Sequence, residues 1–415
     1  MIGGEALVTD FLYQTAFSTT GLEPAQKFNG LPRYNFIYGH NDPTQVPAED
    51  LARSAEKVIR EYGSSLGMYH LGDGPQGYLR LREFVARKLT ESRGAACEAD
   101  DVVLTSGSLQ GMDLVNDTFL EPGDTAIVEE FTYGGAIGKL KKLGANPVGV
   151  PLDEDGIRMD ALEAILKDLS GRGVTPKFIY TIPTVHNPTG SIMPMERRTQ
   201  LLALSERFGV PIFEDECYTD TAWNSDLPPS LYGLDPSRVV HVGSFSKSLA
   251  PALRVGYIVA SWDVLSRVLA RKTDAGSPAI DQMIVADYFG SHFEDHLATL
   301  KPALQRKLAV LIEALDREFG TAAELFVPKG GIFLWLKLPD HVDVRTFVQS
   351  ALDQGVAFNP GPEWACDPDA AKNYMRLCFA LPDEQTIREG IGELARICFE
   401  HTGVPERRGN VSQGA

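Results

Sequence analysis

Residues 243–257 read GSFSKSLAPALRVGY, which places Ser244, Ser246, Lys247 and Arg254 in a turn between two apolar runs. A lone lysine in a loop is ordinarily a solvated surface charge, because lysines are almost never buried unpaired. Its neighbours reverse that reading. Two hydroxyls and a guanidinium beside one amine suit a phosphate dianion, the arginine giving bidentate contacts and the serines donating hydrogen bonds. The lysine is then left free to bond covalently to an aldehyde. Fixed positive charge and partial desolvation lower an amine's pKa, which favours the neutral nucleophile that forms an imine.

The surrounding sequence supplies the scaffold for such a turn. Short apolar runs at 102–105, 125–129, 178–182, 210–214, 239–243 and 253–260 alternate with amphipathic stretches such as 160–169 and 196–208. That is the pattern of a mostly parallel sheet covered by helices. The stretch 196–208 follows Pro194 and stops before Gly209, the usual asymmetry of helix ends. A long helical stretch over 293–319 leads into a different texture: 325–338, a helix near 344–354, a strand at 375–379 and a last helix over 383–400. The expected fold is therefore α/β. A large domain holds a mostly parallel, mixed central sheet, and a smaller α+β domain is made from the N- and C-terminal segments. The expected division is an N-terminal arm with part of the small domain over 1–50, the large domain over 51–300, the small domain over 301–402 and a mobile tail over 403–415, which has little to bury.

Other motifs carry chemistry beside a plainer reading. In FEDECY, Asp215 ends an apolar run where a carboxylate would ordinarily cap a helix or face solvent, and Tyr218 follows three residues later. N-P-T-G at Asn187 to Gly190 is, taken alone, a turn. TSGSLQGMDLV, residues 105–115, runs from a strand into a helix, and Gly107, Ser108 and Leu109 leave backbone N–H groups open at the helix N-terminus. Tyr133 in EEFTYGG reads equally well as a core aromatic. Arg376 in YMRLCFA lies on an expected strand of the small domain, where an arginine needs an anion or a solvent path.

Taken together these residues resemble the fold-type I, pyridoxal 5'-phosphate (PLP)-dependent class I/II aminotransferases. Within that family the chain is most similar to the kynurenine/α-aminoadipate aminotransferase group and to the aminotransferase-like half of related transcription regulators. The S-x-S-K-x-x-x-P-x-L-R-x-G signature is matched at Ser244, Ser246, Lys247, Pro251, Leu253, Arg254 and Gly256, and the likeness extends from YGHNDP near residue 38 to RLCFA near 376. The resemblance implies that Lys247 carries PLP as a Schiff base and that Asp215 pairs with the pyridine nitrogen. It implies that Tyr218 and Asn187 serve the ring 3-oxygen, that Tyr133 stacks on the ring, and that Gly107, Ser108, Leu109, Ser244, Ser246 and Arg254 hold the phosphate. Arg376 matches the arginine that grips the substrate α-carboxylate, with Gly39 and Asn187 beside the substrate.

The chain departs from the family twice. The pattern glycine, glycine, any residue, proline reads Tyr38, Gly39, His40 and Asn41, in the loop that lines the substrate side chain in the family. GDGPQGYLRLR, residues 72–82, carries an inserted glycine, and Tyr69 is the candidate for the tyrosine that reaches a neighbouring subunit's site. The resemblance implies a homodimer with shared active sites, acting on an amino acid and a 2-oxo acid in a ping-pong exchange.

Composition limits the alternatives. With 39 basic and 56 acidic residues the formal charge is -17, which repels nucleic acid and anionic lipid. The five cysteines form no C-x-x-C pair, which points to reduced thiols and a cytoplasmic protein. No run of about 18 apolar residues occurs and the start lacks a leader pattern. No cysteine cluster or H-E-x-x-H suggests zinc, and the glycine-rich turn lacks dinucleotide spacing. Other PLP chemistries share the lysine, aspartate and arginine, so a C–S lyase, a decarboxylase or a cyclopropane-forming synthase stays open, as does a non-catalytic PLP-binding sensor. The sensor is disfavoured by charge and by a resemblance that begins near residue 38, with no room expected before it for a DNA-binding domain.

Overall fold

The computed structural model describes residues 17, 25 and 27–406. The chain separates into residues 1–31 and 32–415. In the first unit the described residues are exposed and carry no regular helix or strand. Much of the expected arm over 1–50, and residues 407–415 of the expected tail, lie outside the described residues.

In the second unit a seven-stranded sheet forms the centre, in the order Val102–Thr105, Gly256–Val259, Val239–Ser244, Ile212–Asp215, Ile179–Thr181, Thr125–Glu129 and Asn146–Val150. Gly256–Val259 runs antiparallel to both neighbours and the remaining pairs are parallel. Apolar side chains alternate between the two faces, as the two-residue period of a strand demands. Val102, Leu104, Ile127, Ile179, Ile212 and Tyr257 enter one buried cluster; Val103, Ala126, Val128, Phe213, Val242 and Ile258 enter another. Each fully buried Val, Leu or Ile contributes about 1.5–3 kcal/mol, so helices must cover both faces.

A second sheet, wholly antiparallel, orders Glu324–Phe326, Phe333–Lys337, Tyr374–Cys378 and Asn359–Pro360. The N-terminal segment reaches it. Tyr34–Asn35 pairs parallel with Val356–Ala357, and the Cys378 N–H donates to Phe36 O at 2.8 Å. The 41-residue helix Ala279–Phe319 joins the two regions. Its Met283, Val285 and Phe289 sit in a core of the large sheet, whereas Leu300, Leu304 and Leu311 sit in the core of the small one. Pro302, which has no N–H to give the ladder, lies in the second half.

The structure corrects several expectations of extent. The run expected as a strand over 253–260 pairs only at Gly256–Val259, because Pro251–Leu253 forms a 3-10 turn and Arg254 adopts the left-handed region at φ 52°. The helix expected near 344–354 breaks at Phe347 into the 3-10 turn Val344–Thr346 and the helix Val348–Asp353. The long helix starts at Ala279, well before 293: Gly290, Ser291 and His292 blur its periodicity, and tertiary burial overrides them.

Candidate active site

Ser244 ends one strand and stands opposite Gly256, the first residue of its antiparallel neighbour, and the intervening turn carries Lys247. Ser244 Oγ accepts from the Ser246 N–H at 3.1 Å and donates to Ser246 Oγ at 2.9 Å, which fixes the entry to the turn. At its exit the left-handed Arg254 sends its guanidinium back to Pro251 O (3.1 Å) and across to Ser106 O (3.0 Å). A Cβ on Gly107, itself at φ +78°, would overlap that guanidinium, so only glycine lets the two approach. Gly107 caps the helix Ser108–Phe119, whose first-turn N–H groups have no intrahelical acceptor. Gln110 faces elsewhere. It accepts from the Ser106 N–H at 2.7 Å and donates to Asp274 at 2.5 Å.

Asp215 lies across the cleft at the C-terminal end of a parallel strand, where open α/β sheets place their ligands. Its buried carboxylate accepts from the Tyr180 hydroxyl at 2.8 Å and from the Cys217 N–H at 3.2 Å. Burial pushes its pKa up despite those bonds. Lys247 Nζ donates to Gly39 O at 2.5 Å; its tip borders the cleft, but the enclosure of the remainder lowers its pKa. Arg376, on the small sheet, donates to Asn187 Oδ1 (3.0 Å), Asn359 Oδ1 (2.8 Å) and Ile37 O (3.1 Å), and its guanidinium lies 3.8 Å from the Trp364 ring centre. Since Asn187 Oδ1 is taken by Arg376, its amide N–H groups are what it can offer a ligand. A buried carboxylate deeper in, Glu129, accepts from Thr181 Oγ1 (2.6 Å) and the Ile182 N–H (2.9 Å) and lies 3.1 Å from His186 Nε2.

Of the site residues read from the sequence, all but Gly107 and Tyr69 line one cleft of about 320 Å³. Gly107 stands just behind it against Arg254. Tyr69 is 81% exposed and outside the cleft, in the 3-10 stretch Tyr69–Gly72. Sequence reasoning missed Trp364, Asn359, Met112 and Cys217, which also line the cleft, and Tyr180 behind Asp215. Only Cys217, inside FEDECY, had a local signal.

Among the described residues Lys247, Arg254 and Arg376 have no carboxylate partner, and Asp215 has no cation. Buried charge left in that state is costly unless a ligand completes it. PLP with its substrate fits the donor set. A phosphate dianion answers Arg254, the serines and the helix N-terminus; a ring N–H⁺ answers Asp215; an aldehyde answers Lys247; an α-carboxylate answers Arg376.

The family model described as aminotransferase class I and II matches residues 39–394. The chain belongs to that family. It is a PLP-dependent aminotransferase of the α/β, fold-type I architecture. A 2-aminoadipate transaminase of Thermus thermophilus is 32% identical to it over 368 residues, 87% of this chain and 89% of the relative. The crystal structure of the α-aminoadipate aminotransferase LysN from Thermus thermophilus, complexed with N-(5'-phosphopyridoxyl)-L-leucine, superposes with a TM-score of 0.82 at 32% identity, covering 89% of this chain and 93% of that one. Pyrococcus horikoshii kynurenine aminotransferase, in complex with PMP, gives 0.86 at 29% identity, covering 94% and 98%. Bacterial helix-turn-helix transcriptional regulators also match this aminotransferase. No group of residues among those described could hold a metal ion, and no described helix is long and apolar enough to cross a membrane.

Proposed function

We propose that the cleft moves an amino group from an L-amino acid to a 2-oxo acid with the residues named above in the following roles. Arg376 grips the substrate α-carboxylate through its guanidinium, and Asn187 braces it. Lys247 anchors the cofactor and, once released, carries the proton taken from the substrate Cα, a role suited to an amine whose pKa burial lowers. Asp215 holds a proton on the cofactor's ring nitrogen, Tyr218 and Asn187 donate to the ring 3-oxygen, and Tyr133 covers the ring face. Ser244, Ser246, Arg254 and the Gly107–Ser108–Leu109 turn take the phosphate. Bound PLP supplies the carbonyl that accepts the amino group and the electron sink that stabilises the deprotonated substrate. The observation that supports this most is the set of three cations and one carboxylate facing a single cleft, none paired with an opposite charge among the described residues.

The finer reading is a cytoplasmic homodimer in which Tyr69 serves the neighbouring subunit's cleft, with no nucleic-acid or membrane partner. Its large domain spans 51–300, and its small domain spans 301–402 together with part of the N-terminal stretch 1–50. The regulators among the relatives favour a second reading, a PLP-binding sensor without turnover. One experiment separates the two. PLP-loaded protein is mixed with a panel of L-amino acids and no acceptor, and the products are identified. About one equivalent of 2-oxo acid per site is expected from wild type and none from Lys247→Ala. Carbon dioxide or an elimination product would move the chain to another PLP chemistry, and no product from any donor would favour the sensor.

A further inference from the structure

The loop that departs from its family at Tyr38 and Asn41 is tied to the reactive lysine by the second of those residues. Asn41 is buried. Its Nδ2 lies 3.0 Å from Ser246 O, 3.1 Å from Leu249 O and 3.5 Å from Lys247 O, all on the lysine turn. Carbonyls only accept, so the amide must present its N–H groups to them. Its Oδ1 is buried without a partner among the described residues. An unmet buried acceptor calls for an explanation, and here the donors on the same amide provide it.

The neighbours of Asn41 are fixed as well. Two residues earlier the Gly39 carbonyl accepts from Lys247 Nζ. One residue later Asp42 pairs at 2.8 Å with the buried Lys307, which also donates to Ala380 O at 2.6 Å. On the far side of the turn His296 Nε2 lies 2.6 Å from Ser248 O. Proline, which the family carries at position 41, has no side-chain donor and could make none of the three contacts to the turn.

We propose that Asn41 is a positioning residue for Lys247: by tying the 39–42 loop to the carbonyls of the lysine turn, it keeps the Gly39 carbonyl on Nζ and sets where the amine points. Nζ is also faced by Arg254 on its own turn, His40 on the loop, Cys217 beyond the central strand, and Arg376 and Cys378 on the small sheet. Those groups stay when Asn41 is replaced. The Gly39 carbonyl is what retreats, and an acceptor lost from an ammonium favours the neutral amine.

The inference rests on Lys247 being the reactive amine, so its test begins with cofactor-free protein, where transamination is not needed. Acetylation of Lys247 is followed against pH by mass spectrometry in wild type, Asn41→Ala and Asn41→Ser. The midpoint should fall by about one pH unit in Asn41→Ala and by less in Asn41→Ser, which keeps one donor. Lys88, paired with Asp220 at 2.6 Å, should not move. After reconstitution kcat should fall about tenfold with the donor KM within about twofold, because the Arg376 contacts are untouched. A Lys247 midpoint that does not fall, in variants whose circular dichroism matches wild type, overturns the proposal even if turnover is lost. Should Asn41→Ala fail to fold, Asn41→Ser decides alone. Failure of the transaminase reading would appear separately, as no 2-oxo acid from wild type.

Discussion

The Tyr180 hydroxyl donates a 2.8 Å hydrogen bond to Asp215 Oδ2 from the neighbouring parallel strand, and no cation stands against that carboxylate among the described residues. The carboxylate is thus oriented before any ligand arrives, and burial raises its pKa until a cation joins it.

Replacing Asp215 by Asn should leave some cofactor bound but lower kcat by about two to three orders of magnitude, on the scale of about 3–5 kcal/mol for breaking a buried charge pair. Tyr180→Phe, which removes only the orienting bond to a charged group, should cost less, about 1.5–3 kcal/mol. Single-turnover rates for the two variants check the order; near-normal turnover of Asp215→Asn would show that this carboxylate faces no ring nitrogen.

Arg376→Lys should leave the cofactor spectrum unchanged while kcat/KM falls for every amino-acid donor by about 2–4 kcal/mol, or about 30- to 900-fold. Lysine has no planar fork, so it cannot hold Asn187, Asn359 and a carboxylate at once. Steady-state kinetics on several donors test this. Unchanged kcat/KM would remove Arg376 from the carboxylate site.

Asp274 braces the Ser106–Gln110 turn from behind, through Gln110. Burial alone would raise its pKa, but Lys272, Gln110 and the Gly276 N–H override it and hold the carboxyl at about 2. That is below the ordinary aspartate value of about 3.9, so its stabilising contribution is fully present above that pH and is lost as pH falls toward the folded value. The stability gap between wild type and Asp274→Asn should therefore close between about pH 4 and about pH 2. Urea unfolding across that range measures the gap, and one that stays constant would show that the interactions do not depress this group.

Tyr69, 81% exposed in a stretch where Leu66 and Met68 are also exposed, should be covered by a second copy. Light scattering at micromolar concentration should give twice the chain mass, the usual outcome of an isologous two-fold interface. A fully active monomer would refute this arrangement.

How far the site could be read from sequence depends on how its residues are held. Lys247, Ser244, Ser246 and Arg254 share one short turn, so their chemistry was visible as local spacing. Asp215 and Tyr218 stood out at the end of an apolar strand. Trp364 and Asn359 had no such mark: they reach the cleft only because the small sheet packs against the large one, and neither belongs to a pattern with a period. The strand Asn146–Val150 has no clear sequence signal because it lies at the edge of the sheet with only Val150 buried, and Pro147 is tolerated there. Asn41 stands out in the sequence as a departure, but its contacts join residues more than 200 positions apart.

The helix Ala279–Phe319 gives the molecule a property that neither sheet has alone. Met283 and Phe289 are shielded by one sheet and Leu304 and Leu311 by the other, so fraying at one end strips packing from a rod on which the other end depends. The two regions are thereby thermodynamically linked, and melting of the small sheet is felt in the large one that carries Lys247.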